Sequence, residues 1–224
     1  MDRQLEWYRY LVHNKTVLGS LFTLIHLPLM LAFLSLVVIG AALVEPFNKV
    51  VLFLALAVVA LLLYGEHVLD DLTRVGKPWN TALTDRQLSI LASFVFTMAA
   101  VIGLYASIRF DTVLPLIGVV MGVMFCVLYG MEIWRFHEVV FGALGMGAVL
   151  PMSYLAQMII TGSAIDYSVL LLGLVAGFIV GYLTLWLYEQ TKTASYRLMW
   201  RLLAIELLSV YSIAVVTLAL WYTP

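Results

Sequence analysis

Residues 47–71 read FNKVVLFLALAVVALLLYGEHVLDD: an apolar run that closes on four ionisable side chains, Glu66, His67, Asp70 and Asp71. The run 47–65 has the length of a membrane-spanning helix, which needs about 20 mostly apolar residues. Working outward, six more uncharged runs of similar length appear, at roughly 16–44, 88–108, 112–131, 139–165, 167–188 and 202–222. The first is too long for a secretory leader core and lacks a clear cleavage site, so it reads as a retained helix. Seven spans occupy most of the 224 residues and leave no soluble domain. The sequence therefore predicts a single all-α domain over 1–224, a polytopic helix bundle.

Composition agrees. Hydrophobic residues make up 64% of the chain and charged residues 11%, against about 45–50% and about 25% in soluble domains. A net charge of -1 offers no basic face for nucleic acid. One cysteine, Cys126, excludes an intrachain disulfide and cysteine-based zinc or iron–sulfur sites. The last span has no lysine for a retinal Schiff base, and no glycine-rich phosphate loop or serine elbow occurs.

The cations set an orientation. Arg3, Arg9, Lys15, Arg74, Lys77, Arg86, Arg135, Lys192, Arg197 and Arg201 fall on one side, and Lys49 and Arg109 on the other. The positive-inside rule then places the N-terminus in the cytoplasm and the C-terminus outside. Most acids and histidines share the cytoplasmic side, including Glu66, His67, Asp70, Asp71, Glu132, His137, Glu138 and Glu189. The connection between spans two and three is long and polar, and such connections in tight bundles carry function. Helical spacing sets Glu66 over Asp70 and His67 over Asp70 and Asp71. Oxygen ligands of this kind hold a hard divalent cation, and His67 also admits a softer metal. Arg74 and Lys77 follow at a Gly76–Pro78 turn, where they oppose the charge of a phosphate or diphosphate. Thr84-Asp85-Arg86-Gln87 has capping-box form and starts the third span.

In these positions the chain resembles the UbiA superfamily of intramembrane prenyltransferases. Glu66-His67-x-x-Asp70-x-x-x-Arg74, followed by Lys77-Pro78, occupies the frame of that family's first aspartate motif. Tyr129 through Glu138, with Arg135 and His137, resembles its tyrosine and basic pair, and 141–147 its glycine-rich fifth helix. The second aspartate motif falls on Tyr188 through Tyr196, with Glu189 and Lys192 as its charged residues. Two acidic places of the first motif hold His67 and Arg74 instead.

The resemblance implies a prenyltransferase or isoprenoid-lipid-processing enzyme working at the cytoplasmic face on an isoprenoid diphosphate or other membrane lipid. It implies Asp70, Arg74, Lys77 and Lys192 as catalytic groups. A divalent metal, Mg2+ first with Mn, Fe or Zn open, falls to Glu66, His67, Asp70, Asp71 and Glu189. Tyr129, Arg135, His137, Glu138, Tyr188 and Arg197 are the expected substrate contacts. The alternative is a non-catalytic lipid- or quinone-binding subunit of a larger membrane complex. The family has nine spans against seven here, which implies a seam beside the first and last spans filled by a second copy, another subunit or a lipid.

Other features read as packing. His26, just before Pro28, suits a packed histidine at a proline kink. Gly173, Gly177 and Gly181, and the pair Gly118 and Gly122, form small-residue faces for close helix contacts. Glu206 suits either a functional intramembrane carboxylate or an ion pair with Arg201 or Arg197.

Overall fold

The computed structural model describes residues 16–45, 47–73, 79, 81–133, 138–190 and 196–222, without the side chains of Tyr196, Arg197, Met199, Trp221 and Tyr222. Its described residues form eight α-helices and no strand. In chain order these are α1 (Val17–Thr23), α2 (Leu27–Ala42), α3 (Lys49–Thr73), α4 (Asp85–Arg109), α5 (Leu114–Gly130), α6 (Val139–Thr161), α7 (Tyr167–Gln190) and α8 (Tyr196–Tyr222). Five of them, α3, α4, α6, α7 and α8, are long and apolar enough to cross a membrane. The protein is thus a helical membrane bundle.

Two of the seven expected spans need correction. Run 16–44 is a bent pair, α1 and α2, meeting at 45°. The cause is local: Pro28 has no N–H to donate to the Leu24 carbonyl and its ring crowds that carbonyl, and His26 takes a left-handed conformation, φ 46°. Run 112–131 yields α5, whose 17 residues make about 25 Å of helix. That is short of the about 30 Å hydrocarbon core. Helices α3, α4, α7 and α8 extend beyond their apolar runs, while α6 stops short of its run at Thr161. No Gly or Pro interrupts the backbone from Glu66 to Thr73, so α3 carries the ionisable cluster inside its last two turns. Thr84 and Gln87 make the expected capping box on α4. Asp166 caps α7 by accepting from the Ser168 and Val169 backbone N–H groups at 2.9 and 3.4 Å.

The bundle consists of two groups of helices. In one, α4 and α5 pack on α3, with Gly65 under the Phe96 ring and Gly122 against Leu62. In the other, α6 and α7 meet backbone to backbone, where a Cβ at Gly177 would run into the Gly147 carbonyl. The glycine face Gly173, Gly177 and Gly181 predicted from sequence, on α7, is therefore a packing face. Gly118 is not: a Cβ there meets nothing within 4 Å.

The expected seam beside the first and last spans is closed. Helices α2 and α8 pack along each other, with Ala214 among Val37, Val38 and Ala41. The Tyr211 hydroxyl donates to the Pro28 carbonyl in the first turn of α2. Thr184 of α7 donates to Glu206 of α8 at 2.6 Å. Gln157 clasps the start of α3 to α6, accepting from the Asn48 N–H at 2.9 Å and donating to its carbonyl at 3.0 Å. Between α5 and α6 contact is sparse.

Candidate functional site

The last two turns of α3 bury four ionisable side chains. Buried polar groups need partners, and the chain supplies them from two places. The first is the break between α1 and α2. Because the helix stops there, the Leu24 carbonyl is available to His67 Nδ1 at 3.0 Å. A carbonyl only accepts, so Nδ1 carries the proton. His67 Nε2 then faces Glu66 Oε2 at 3.2 Å.

The second is Trp79 and Thr81, which lie against the end of α3. The Trp79 indole N–H donates to Asp70 Oδ2 at 3.0 Å. Its backbone N–H donates to Asp71 Oδ1 at 3.1 Å, and the Thr81 hydroxyl to Asp71 Oδ2. Ser20 of α1 accepts from the Ala82 N–H at 2.8 Å. Trp79 and His26 complete a tight aromatic group: their ring centres are 4.9 Å apart, and His26 lies 5.1 Å from His67 and 5.6 Å from Tyr188.

Below this cluster opens a cavity of about 2320 Å³, more than twice the common range of roughly 300–1,000 Å³ for small-molecule sites. Glu66, His67, Asp70, His26, Trp79, Tyr129, Glu132, Glu138, Tyr188 and Glu189 line its polar end. Its length is apolar, running between α3, α5 and α6 to Phe110 and Leu114 at the far end. Among the described residues its wall carries no Lys or Arg.

Of the residues expected from sequence, the fold brings Glu66, His67, Asp70, Glu189, Tyr129, Glu138 and Tyr188 to this one space. Asp71 is placed differently: it has no exposed surface, and its two oxygens serve Trp79 and Thr81. Arg74, Lys77, Arg135, His137, Lys192 and the Arg197 side chain lie outside the described residues. Glu206 meets Thr184 on the other side of the bundle. Sequence reading missed His26 and Trp79 as site residues. The signal for His26 was present, since a histidine two positions before a proline in an apolar run marks a broken helix whose carbonyls need donors.

Among the described residues no three His, Cys, Asp or Glu side chains converge as a metal cage. Mg2+ is commonly held by one or two carboxylates together with substrate phosphates. Glu66 and Asp70, which both line the cavity, fit that smaller role. Comparison with family models, curated proteins and solved structures returns no match.

Proposed function

We propose that this protein is an intramembrane isoprenoid-lipid-processing enzyme of UbiA-like type. In this reading all seven segments are embedded, and the Glu66–Asp71 end faces the cytoplasm as the cation distribution implies. One observation carries the reading: the acidic and aromatic cluster and the long apolar cavity are a single continuous space. A ligand with a polar head and a long hydrocarbon tail matches both ends.

In this account the head lies against Glu66, His67 and Asp70, and the tail runs between α3, α5 and α6. Asp70 and Glu66 would hold a divalent cation, which would supply charge neutralisation of the diphosphate leaving group. Trp79 fixes Asp70 through its indole N–H, so the carboxylate needs no reorganisation as charge develops. Tyr129 and Tyr188 present aromatic rings to a developing allylic cation. The dry apolar walls keep water from it. Arg74, Lys77 and Lys192 are the cations assigned to share the diphosphate charge.

The second reading, a lipid- or quinone-binding subunit without catalysis, draws on the same hydrogen bonds. Asp70 holds Trp79, and Asp71 holds Trp79 and Thr81, which is a structural use of carboxylates. Calorimetry with a short isoprenoid diphosphate, with and without Mg2+, separates the two. The enzyme reading expects Mg2+-dependent binding that Asp70→Asn abolishes in a protein that still folds. Wild-type binding that ignores Mg2+ and survives Asp70→Asn favours the subunit.

A further inference from the structure

Among the described residues, three that are not glycine take a positive φ: His26 at 46°, Asp111 at 49° and Glu132 at 52°. Two of them, His26 and Glu132, line the polar end of the cavity. A left-handed backbone is disfavoured for an L-residue because its Cβ crowds the neighbouring carbonyl, a penalty glycine escapes. Such strain persists where the surroundings fix it, and it gathers at ligand sites. At position 26 the surroundings are rings. The His26 ring is centred 4.9 Å from Trp79, 5.1 Å from His67 on α3 and 5.6 Å from Tyr188 on α7. Packing alone does not call for an imidazole there, since a phenyl ring of similar size fills the same space.

The donors at the polar end say what the imidazole adds. A diphosphate head presents acceptor oxygens, and the ionised carboxylates of Glu66 and Asp70 only accept. Of the N–H groups beside them, His67 Nδ1 gives its hydrogen to the Leu24 carbonyl and the Trp79 indole gives its own to Asp70. An imidazole carries a ring N–H in either tautomer. His26 stands on the cavity wall next to both groups, and its ring comes from the break between α1 and α2 rather than from the carboxylate-bearing helix.

We propose that His26 is a recognition residue for the ligand's head: its ring N–H donates to a phosphate oxygen, and the left-handed turn between α1 and α2 delivers it there. The proposal rests on the reading of the cavity as an isoprenoid diphosphate site and adds a contact from a second element of the fold. It explains why a strained backbone carries histidine where glycine would be relaxed, and it gives the helix break two uses. The break supplies the Leu24 carbonyl that orients His67, and it supplies the His26 ring itself.

The test uses the full chain in mild detergent at fixed Mg2+ and two probes with the same three-unit tail, the isoprenoid diphosphate and the corresponding free alcohol. Their affinities are measured on wild type, His26→Phe and His26→Gly, with each variant's fold checked by thermal melting. Phenylalanine keeps a ring among Trp79, His67 and Tyr188 but has no N–H. Glycine takes the left-handed turn without strain and leaves no ring. Wild type should prefer the diphosphate. Each variant should lose about tenfold or more for the diphosphate and hold the alcohol within a few-fold, so that the loss belongs to the head alone. Two unlike variants guard against a failure to fold, and one folded variant decides. A folded variant that binds the diphosphate as wild type does, or that loses both probes in parallel, makes His26 a packing residue and overturns the proposal. So does a wild type that binds the alcohol as tightly as the diphosphate. Failure of the wild type to bind either probe overturns the isoprenoid reading itself, and this contact with it.

Discussion

Asp71 and Asp70 are neighbours on one helix with different duties, and the difference follows from what each carboxylate meets. Asp71, fully enclosed, holds a backbone N–H and a hydroxyl. Asp70 lines the cavity while accepting the Trp79 indole N–H. Replacing Asp71 with Ala strands two buried donors at about 1–3 kcal/mol each, so a marked drop in melting temperature is expected. Trp79→Phe removes one bond to Asp70 and should lower stability by about 1–3 kcal/mol. Thermal unfolding in detergent checks both. If Asp71→Ala melted like wild type, the tie across the end of α3 would be wrong. At the opposite end, Asp166 is exposed, and its carboxyl sits below the usual aspartate range. The Ser168 hydroxyl is the main cause, followed by the Ser168 and Val169 backbone N–H groups. A lowered folded pKa means stabilisation that is present above the unfolded value and lost as pH falls through the folded one. The stability difference between wild type and Asp166→Asn should therefore shrink below about pH 4. A difference that stays constant down to low pH would contradict the cap.

Each helix was legible in sequence to the extent that a single physical signal dominated it. Apolar length sufficed for α3, α4, α6, α7 and α8, and the Thr84 capping box placed the start of α4. In the first run hydropathy gave only the length, and the kink expected at His26 and Pro28 came from the proline. His26 and Pro28 break it without any change in polarity. Small-residue spacing was likewise ambiguous, since Gly177 and Gly118 sit in similar patterns. Only the fold shows that one touches a backbone and the other faces a void. This contrast is testable. Gly177→Leu forces atoms into the Gly147 backbone and should cost about 3 kcal/mol or prevent folding, whereas Gly118→Leu should change the melting point little. Equal destabilisation by the two substitutions would contradict the α6–α7 packing. The site was half legible. Glu66, His67 and Asp70 announced themselves by density of charge, but Trp79 and the Leu24 carbonyl became partners only through tertiary contact and a helix break.

At the scale of the whole molecule, two helix groups enclose one long cavity, with polar chemistry at a single end. The cation asymmetry adds an orientation: reporter fusions at Asp2 and Pro224 should give opposite signals, and matching signals would mean an even number of crossings. Helices α2 and α8 are in contact at the place where a seam was expected from sequence. The central claim is that the cluster and the cavity are one ligand site. An experimental map of the protein in a lipid nanodisc with an added three-unit isoprenoid diphosphate and Mg2+ tests it most directly. The account predicts head density beside Glu66, His67 and Asp70, with a tail running down the cavity between α3, α5 and α6. A cavity collapsed by α5 lying against α6, with the lipid bound only on the outer surface of the bundle, would contradict it.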